Sequence, residues 1–316
     1  MKHILITGAH GFIGKHLALR LASQGHVVTG LGHGIWPATE ARCWGVSHWL
    51  NGEIHTGNLR ILQQQFGTPD VLFHLAGGSS VGAAIANPRE DFSRTVASTV
   101  ELLEWLRLEA SDAQLVAVSS AAVYGAGHEG PIPEGATLQP YSPYGHHKRM
   151  MESLCKSYGV TYGLQVAVAR LFSVFGPELK KQLLWDICTR LAAGESPLVL
   201  GGTGDELRDW TDVREVVRAL ELMSSEANPE MSVINVGTGV GTSVRQIAQG
   251  LMAVWGSHAP VTDVLSFSGC SRPGDPFSLV ADPSRLNRLG FQWHSSLTNG
   301  LADYVDWFRT HSGANR

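Results

Sequence analysis

Apolar residues fall along the chain in two rhythms. Short, nearly unbroken apolar runs over His3–Thr7, His26–Leu31, Leu115–Val118 and the stretch opening at Val71 predict strands covered on both faces. Between them the spacing changes to that of amphipathic helices. These are Lys15–Gln24, a run opening at Gly57-Asn58-Leu59-Arg60, and a long stretch in which Val96, Val100, Leu103 and Leu106 share one face. Such alternation predicts an α/β protein built on a parallel sheet. Further on, Lys180–Ala193, with Leu184, Ile187 and Leu191 on one side, and Leu297–Phe308 predict two more helices. Residues 35–52 hold three tryptophans, keep no clear period and predict no element.

The turn after the first strand carries the first chemistry. Gly8-Ala9-His10-Gly11-Phe12-Ile13-Gly14 joins a strand to a helix. Glycines at this spacing allow a tight turn, close approach of backbone to a diphosphate, and helix-on-strand packing, with the helix N-terminus facing the anion. A dinucleotide site is expected there. The second strand should end where an acid would grip the adenosine ribose, but that position is Gly32, followed by His33 and Gly34. Without the acid, NADP fits as well as NAD. His33 is the candidate for meeting an extra phosphate; Arg42 reads as a solvated loop residue. The strand opening at Val71 runs into a second glycine turn, Leu75-Ala76-Gly77-Gly78, with Ser79 and Ser80 beside it, while His74 reads as a packed core histidine.

A net charge of −4, with 16% charged residues among 316, gives no basic footprint for nucleic acid. Cysteines at 43, 155, 188 and 270 form no CxxC pair, so a reduced, cytoplasmic protein is expected. No HExxH or paired Cys/His spacing suggests a metal, and no run suggests a targeting segment or membrane span.

Ser142 suits a helix N-cap and Pro143 the first helical position, so a helix should run from here towards Tyr158. Tyr144 and Lys148 then lie one above the other. Taken alone, such a pair is also what chance places on a helix face. A fixed cation beside a phenol favours the phenolate, which makes the pair a candidate proton donor and acceptor for a sugar or alcohol oxygen.

Seven motifs occur in a telling order. They are Gly8-x-x-Gly11-x-x-Gly14, the His74-Leu-Ala-Gly turn, Ser119-Ser-Ala-Ala-Val-Tyr-Gly125, Tyr144-x-x-x-Lys148, Arg170-Leu-Phe-Ser-Val-Phe-Gly-Pro177, Arg208-Asp-Trp-Thr-Asp-Val213 and Arg272-Pro-Gly-Asp275. The chain resembles the extended short-chain dehydrogenase/reductases, the nucleotide-sugar epimerases, dehydratases and reductases. The resemblance implies a Rossmann-type doubly wound parallel sheet over residues 1–172 and a smaller C-terminal α/β substrate lobe over 173–316, with a segment near 232–258 packing back on the first domain. It implies Tyr144 as acid/base, Lys148 as the residue that holds the nicotinamide ribose and lowers the tyrosine's pKa, and Ser120 rather than Ser119 as the second hydroxyl. Cofactor contacts are expected from Gly8, Gly11, Phe12, Ile13, Gly14, His33, Leu75, Ala76 and Gly77, with Asn58 and Leu59 at the adenine edge. Substrate contacts are expected from Ser79, Ser120, Tyr144 and Ser173, with Arg208 and Arg272 on the diphosphate, although Arg208 could instead pair with Asp209 or Asp212.

Departures from the pattern narrow the chemistry. Where 4,6-dehydratases carry an acid and a base after the serine, this chain has Ala121 and Ala122, which argues against 4,6-dehydration. Thr95 and Ser173 replace two asparagines and keep hydroxyls. Ile234-Asn-Val-Gly-Thr-Gly239 reads as a structural turn rather than a second nucleotide site, with Thr242 capping the next helix. The first reading is a 4-epimerase acting on a nucleotide-diphosphate hexose of the UDP type, with NAD or NADP, as a homodimer and with no nucleic-acid or membrane partner. The alternative is an NADPH-dependent 4-keto-6-deoxyhexose reductase; a non-catalytic cofactor sensor is the rival from another class.

Overall fold

The computed structural model describes residues 1–256, 264–270 and 276–311. Its first half alternates strand and helix: β1 (His3–Thr7), α1 (Phe12–Ser23), β2 (Val27–Gly32), α2 (Ala38–Cys43), β3 (His48–Asn51), α3 (Thr56–Phe66) and β4 (Val71–His74). Then follow α4 (Val81–Ala86), α5 (Pro88–Phe92), a π-helical turn at Ser93–Ala97, α6 (Ser98–Glu109), β5 (Gln114–Ser120), α7 (Pro143–Tyr162) and β6 (Val166–Leu171). The second half contains β7 (Ser173–Phe175), α8 (Gln182–Ala192), β8 (Leu198–Leu200), β9 (Leu207–Asp212), α9 (Val213–Met223), β10 (Ser232–Val236), β11 (Gly241–Ser243), α10 (Val244–Trp255), β12 (Leu265–Phe267) and β13 (Ser278–Leu279). Helices at Ser284–Arg288 and Leu297–His311 follow.

Seven parallel strands form the main sheet in the order β10-β6-β5-β4-β1-β2-β3. The order reverses between β1 and β4, so the chain leaves the carboxyl ends of these strands in opposite directions and opens a crevice there. Helices cover both faces. On one, Leu17, Ala18 and Leu21 of α1 meet Val213, Val216 and Leu220 of α9 over Ile4, Ile6 and Phe73. On the other, Leu59, Leu102, Leu106, Met151 and Cys155 from α3, α6 and α7 cover Leu5, Leu72, Leu115 and Val168. This is why the strand sequences read as continuous apolar runs: neither face meets water.

The smaller lobe packs α8, α10 and the C-terminal helix around Leu184, Ile187, Leu251, Tyr304 and Phe308. Its sheet is built on β9, which pairs with β7, β11 and β13. The segment that returns to the main sheet differs from the expected 232–258. Strand β10 joins β6, and α9 packs against α1, but α10 stays in the smaller lobe, where Ile247, Ala248 and Met252 are buried. Residues 35–52, unreadable as sequence, form α2 and β3. The cap of α10 is Ser243, one residue beyond Thr242, in a reciprocal capping box with Gln246.

A buried ionic network ties the halves together beneath the crevice. Arg170 of β6, 4% exposed, donates from Nε and Nη2 to the two oxygens of Glu152 on α7, at 3.0 and 2.7 Å. It also donates to the Tyr124 hydroxyl, which in turn donates to Asn235 Oδ1 of β10. The Ser119 hydroxyl donates to Glu152 as well. Removing one partner of such a pair leaves a charge buried without compensation. Glu152→Ala should therefore lower unfolding free energy by about 3–5 kcal/mol, read as a fall in the denaturant midpoint.

Candidate active site

The crevice is a cleft of about 1090 Å³, walled by the carboxyl ends of β1, β2, β4 and β5, by the start of α7, and by residues of the smaller lobe. Gly8, at φ +76°, takes a backbone conformation that side chains resist, and a Cβ there would stand 2.9 Å from the Ala76 nitrogen. A Cβ on Gly14 would stand 2.3 Å from the Gly8 oxygen, so α1 can lie this close to β1 only without one. Gly11 caps α1 with no side-chain hydrogen bond, and the first turn holds no acid. The first amides of α1 are thus left for a ligand, and Gly11, Phe12, Ile13 and Gly14 line the cleft. A helix N-terminus that no side chain caps, beneath a glycine cradle, fits the diphosphate of a dinucleotide.

Leu75, Ala76, Gly77, Ser79 and His33 line the cleft. Asn58 and Leu59 do not. Asn58 donates from Nδ2 to the Glu53 carbonyl at 2.9 Å, and Leu59 is fully buried in the core. The wall there consists of Gly52, Glu53, Ile54 and His55, the segment leaving β3. Trp49 and His10 were also missed. The His10 ring stacks on Trp36 at 4.6 Å and meets Trp49 edge-on at 5.9 Å, while Trp49 packs under Gly32, where a Cβ would lie 3.2 Å from its ring. An aromatic wall therefore fills the end of β2 beside the glycine turn.

Ser142 caps α7 by accepting from the Gly145 amide at 3.2 Å, with Pro143 at the first helical position. That cap aims Tyr144 and Lys148 into the cleft, which Ser120 enters from the end of β5. Ser120 also caps the 3-10 turn Ala121–Val123, accepting from the Ala122 amide, whereas Ser119 points into the Glu152 network. The two adjacent serines thus face opposite sides of the sheet edge. Lys148, 3% exposed, donates to the Val118 carbonyl at 2.9 Å. Burial lowers its pKa to about 8, against the opposing pull of Asp91 and Glu152.

The expected acidification of Tyr144 by Lys148 is not what the protein alone produces. Burial raises the phenol above its ordinary value; the facing Ser120 hydroxyl pulls it down and Asp91 pushes it up. Thr95, presented by the π-helical turn, accepts from the Gly78 amide at 2.8 Å and so holds the second glycine turn. His74 is a core residue as expected, hydrogen-bonded to Thr7 and Thr99 and kept neutral by burial, with its pKa lowered to about 3.

The smaller lobe supplies Ser173, Arg208, Trp210, Lys181 and Leu279 to the same cleft. Arg208 donates to the Leu207 and Phe277 carbonyls, and the two acids considered for it have other partners. Asp212 holds Arg214, and Asp209 accepts from the amides of Thr238, Gly239 and Ala281. The turn at Gly237–Gly239 thereby spends its amides on a carboxylate of this chain, in keeping with a structural role. Arg272 lies outside the described residues. Among the described residues there is no group of three or more His, Cys, Asp or Glu able to hold a metal ion, and no helix long and apolar enough to cross a membrane.

Known proteins share this architecture. The UDP-glucose 4-epimerase of Azospirillum brasilense is 28% identical over 97% of this chain and 92% of its own. The crystal structure of UDP-glucose 4-epimerase from Thermotoga maritima with UDP-glucose superposes with a TM-score of 0.87 at 26% identity, covering 98% of this chain and 99% of that one. DesIV, a dTDP-glucose 4,6-dehydratase from Streptomyces venezuelae solved with NAD bound, gives 0.86 at 26% identity, covering 98% of each. Residues 4–237 match the sequence pattern of the NAD dependent epimerase/dehydratase family, and with the glycine cradle and the Ser120, Tyr144 and Lys148 cluster in one cleft, the chain belongs to that family.

Proposed function

We propose that this protein is an NAD-dependent 4-epimerase acting on a nucleoside-diphosphate hexose, of the UDP type. One observation carries the reading: Ser120, Tyr144 and Lys148 share a cleft with the glycine cradle, while the two positions after Ser120 are the methyl groups of Ala121 and Ala122. The similarity to UDP-glucose 4-epimerases over nearly the whole chain supports it.

NAD, when bound, supplies hydride acceptance and return at C4 of the sugar. The chain does the rest. Ser120 and Tyr144 converge on the C4 oxygen; the Tyr144 phenolate, the minor form that the neighbouring Lys148 ammonium favours, takes the proton of the C4 hydroxyl, and the resulting phenol gives it back. Lys148, anchored on the Val118 carbonyl, sets the charge beside the phenol and the ribose. Ser79 and Ser173 contact the sugar side of the cleft, and Arg208 and Arg272 supply planar forks to the diphosphate. The exposed apolar side chains Leu108 of α6 and Met150, Val160 and Tyr162 of α7 support a homodimer formed by these helices. Exposed free thiols at Cys43 and Cys270 suit a reducing cytoplasm.

A second reading, an NADPH-dependent 4-keto reductase, draws on Gly32 alone, because no acid there would repel a 2′-phosphate. The cofactor that survives purification separates the two: bound NAD supports the epimerase, and an empty site that takes up NADPH overturns it. Tyr144→Phe should lower the interconversion of UDP-glucose and UDP-galactose by about 10²–10⁴-fold with NAD binding unchanged, and surviving turnover would remove Tyr144 from the reaction. Gly32→Asp, paired with Trp49→Leu to make room, should weaken NADP relative to NAD by about tenfold in a fluorescence titration. Light scattering should give twice the chain mass, and Tyr162→Glu should halve it.

A further inference from the structure

Asp91 is 5% exposed, and the reaction proposed above gives it no role. It sits on α5, which Asn87 caps and which runs straight into the π-helical turn carrying Thr95. Its Oδ2 lies 2.6 Å from Nδ1 of His147, the residue between His146 and Lys148 on α7. The Phe92 ring closes over His147 edge-on at 5.5 Å. The other oxygen, Oδ1, presses against the second glycine turn, since a Cβ on Gly78 would fall 1.8 Å from it. From the opposite side, a Cβ on Gly77 would come within 3.2 Å of Lys148 Nζ and 3.3 Å of Thr95 Oγ1. The Gly77–Gly78 turn is thus held between an anion and a cation, with room for no side chain.

Each other titratable group facing Lys148 is neutral or already committed. Glu152, on its own helix, is bound by Arg170 and Ser119. The Cys155 thiol, on the same helix, is pushed up to about 12 by burial and stays neutral, as does His74 across the sheet on β4. The Tyr144 phenol one turn back is also neutral, facing Ser120 of β5. Asp91, from α5 and itself bonded to His147, stands ahead of Glu152 among the carboxylates that favour the ammonium.

We propose that Asp91, clamped by His147, is a positioning residue for the reaction: it is the counter-ion of Lys148 and the buttress of the Gly77–Gly78 turn. The inference rests on the epimerase reading only for its kinetic test. Burial pulls the Lys148 ammonium down and Asp91 is the largest influence opposing it, so removing that charge lets Lys148 release its proton at lower pH. Tyr144 also loses an influence that raises it, and its titration moves in the same direction. A reaction that needs the ammonium fails as pH rises through its pKa, so the alkaline limb of the rate profile should move towards acid.

The test is Asp91→Asn, which keeps the shape and a hydrogen bond to His147, with folding checked by circular dichroism. In the purified holoenzyme, the alkaline limb of kcat/KM for UDP-glucose should move down by about one pH unit. An even loss of rate at all pH values, with the limb unmoved, would overturn the proposal. Independently of turnover, the NMR titration of Lys148 in ¹³C-lysine-labelled protein, assigned with Lys148→Arg, should fall by a similar amount, and an unchanged titration overturns the counter-ion role. A protein inert towards UDP-hexoses whose Lys148 titration still falls would sink the epimerase reading and leave this one standing. Asp91→Ser carries the same expectations if the Asn variant does not fold.

Discussion

A lysine ammonium at 3% exposure is the constraint around which this protein is arranged. An isolated buried cation costs several kcal/mol or loses its proton, so the interior has to supply partners. The Val118 carbonyl, Asp91 and Glu152 do so, and each brings obligations of its own. Glu152 needs Arg170, Arg170 reaches Tyr124, and Tyr124 reaches Asn235, so one chain of charges and hydroxyls links α7, β6 and β10. Asp91 adds α5 and the Gly77–Gly78 turn. Helix α7 therefore cannot slide along its axis without breaking bonds to β5, β6 and α5.

The same logic joins the lobes. The chain passes from β6 into β7 with one residue between them, and β7 pairs directly with β9, so Ser173 and Trp210 are register partners. Across the other side, Lys15 of α1 meets Glu178 at 3.3 Å, and Glu178 accepts from Trp307 of the C-terminal helix. His16 adds a hydrogen bond to the Pro177 carbonyl. The cleft is thus a gap between bodies fastened along both flanks, which suits a site that must hold both halves of a ligand at fixed separation.

What could be read in the sequence was local. The glycine turn, the Ser142 cap with Pro143, and the i,i+4 spacing of Tyr144 and Lys148 are each specified within a few residues, and the structure brings the glycine turn, Tyr144 and Lys148 to one cleft. What could not be read depended on distant partners. The aromatic wall needs His10, Trp36 and Trp49 to meet from three segments, and β3 is four residues with no alternation to betray it. Asn58 and Leu59 do not line the cleft because α3 begins directly after its His55 cap, which turns Asn58 back onto the Glu53 carbonyl and sends Leu59 into the core. Glu53 and Ile54, just after β3, line the cleft instead. A helix wheel likewise shows the cation beside Tyr144 but not the burial, which raises the phenol above its ordinary value.

Fold similarity alone does not choose among the reactions, since an epimerase and a 4,6-dehydratase both superpose on this chain across nearly its full length. The choice falls to a few atoms at the end of β5. Ser120 caps a tight 3-10 turn, so Ala121 and Ala122 are held at 4% and 8% exposure on the rim of the cleft. At such burial a carboxylate would need a partner, and the hydroxyls nearby are already engaged, Ser119 with Glu152 and Ser120 with the Ala122 amide. Methyl groups ask for nothing and transfer nothing. At this rim the chain offers the Ser120 and Tyr144 hydroxyls and, at the two positions after Ser120, no acid or base.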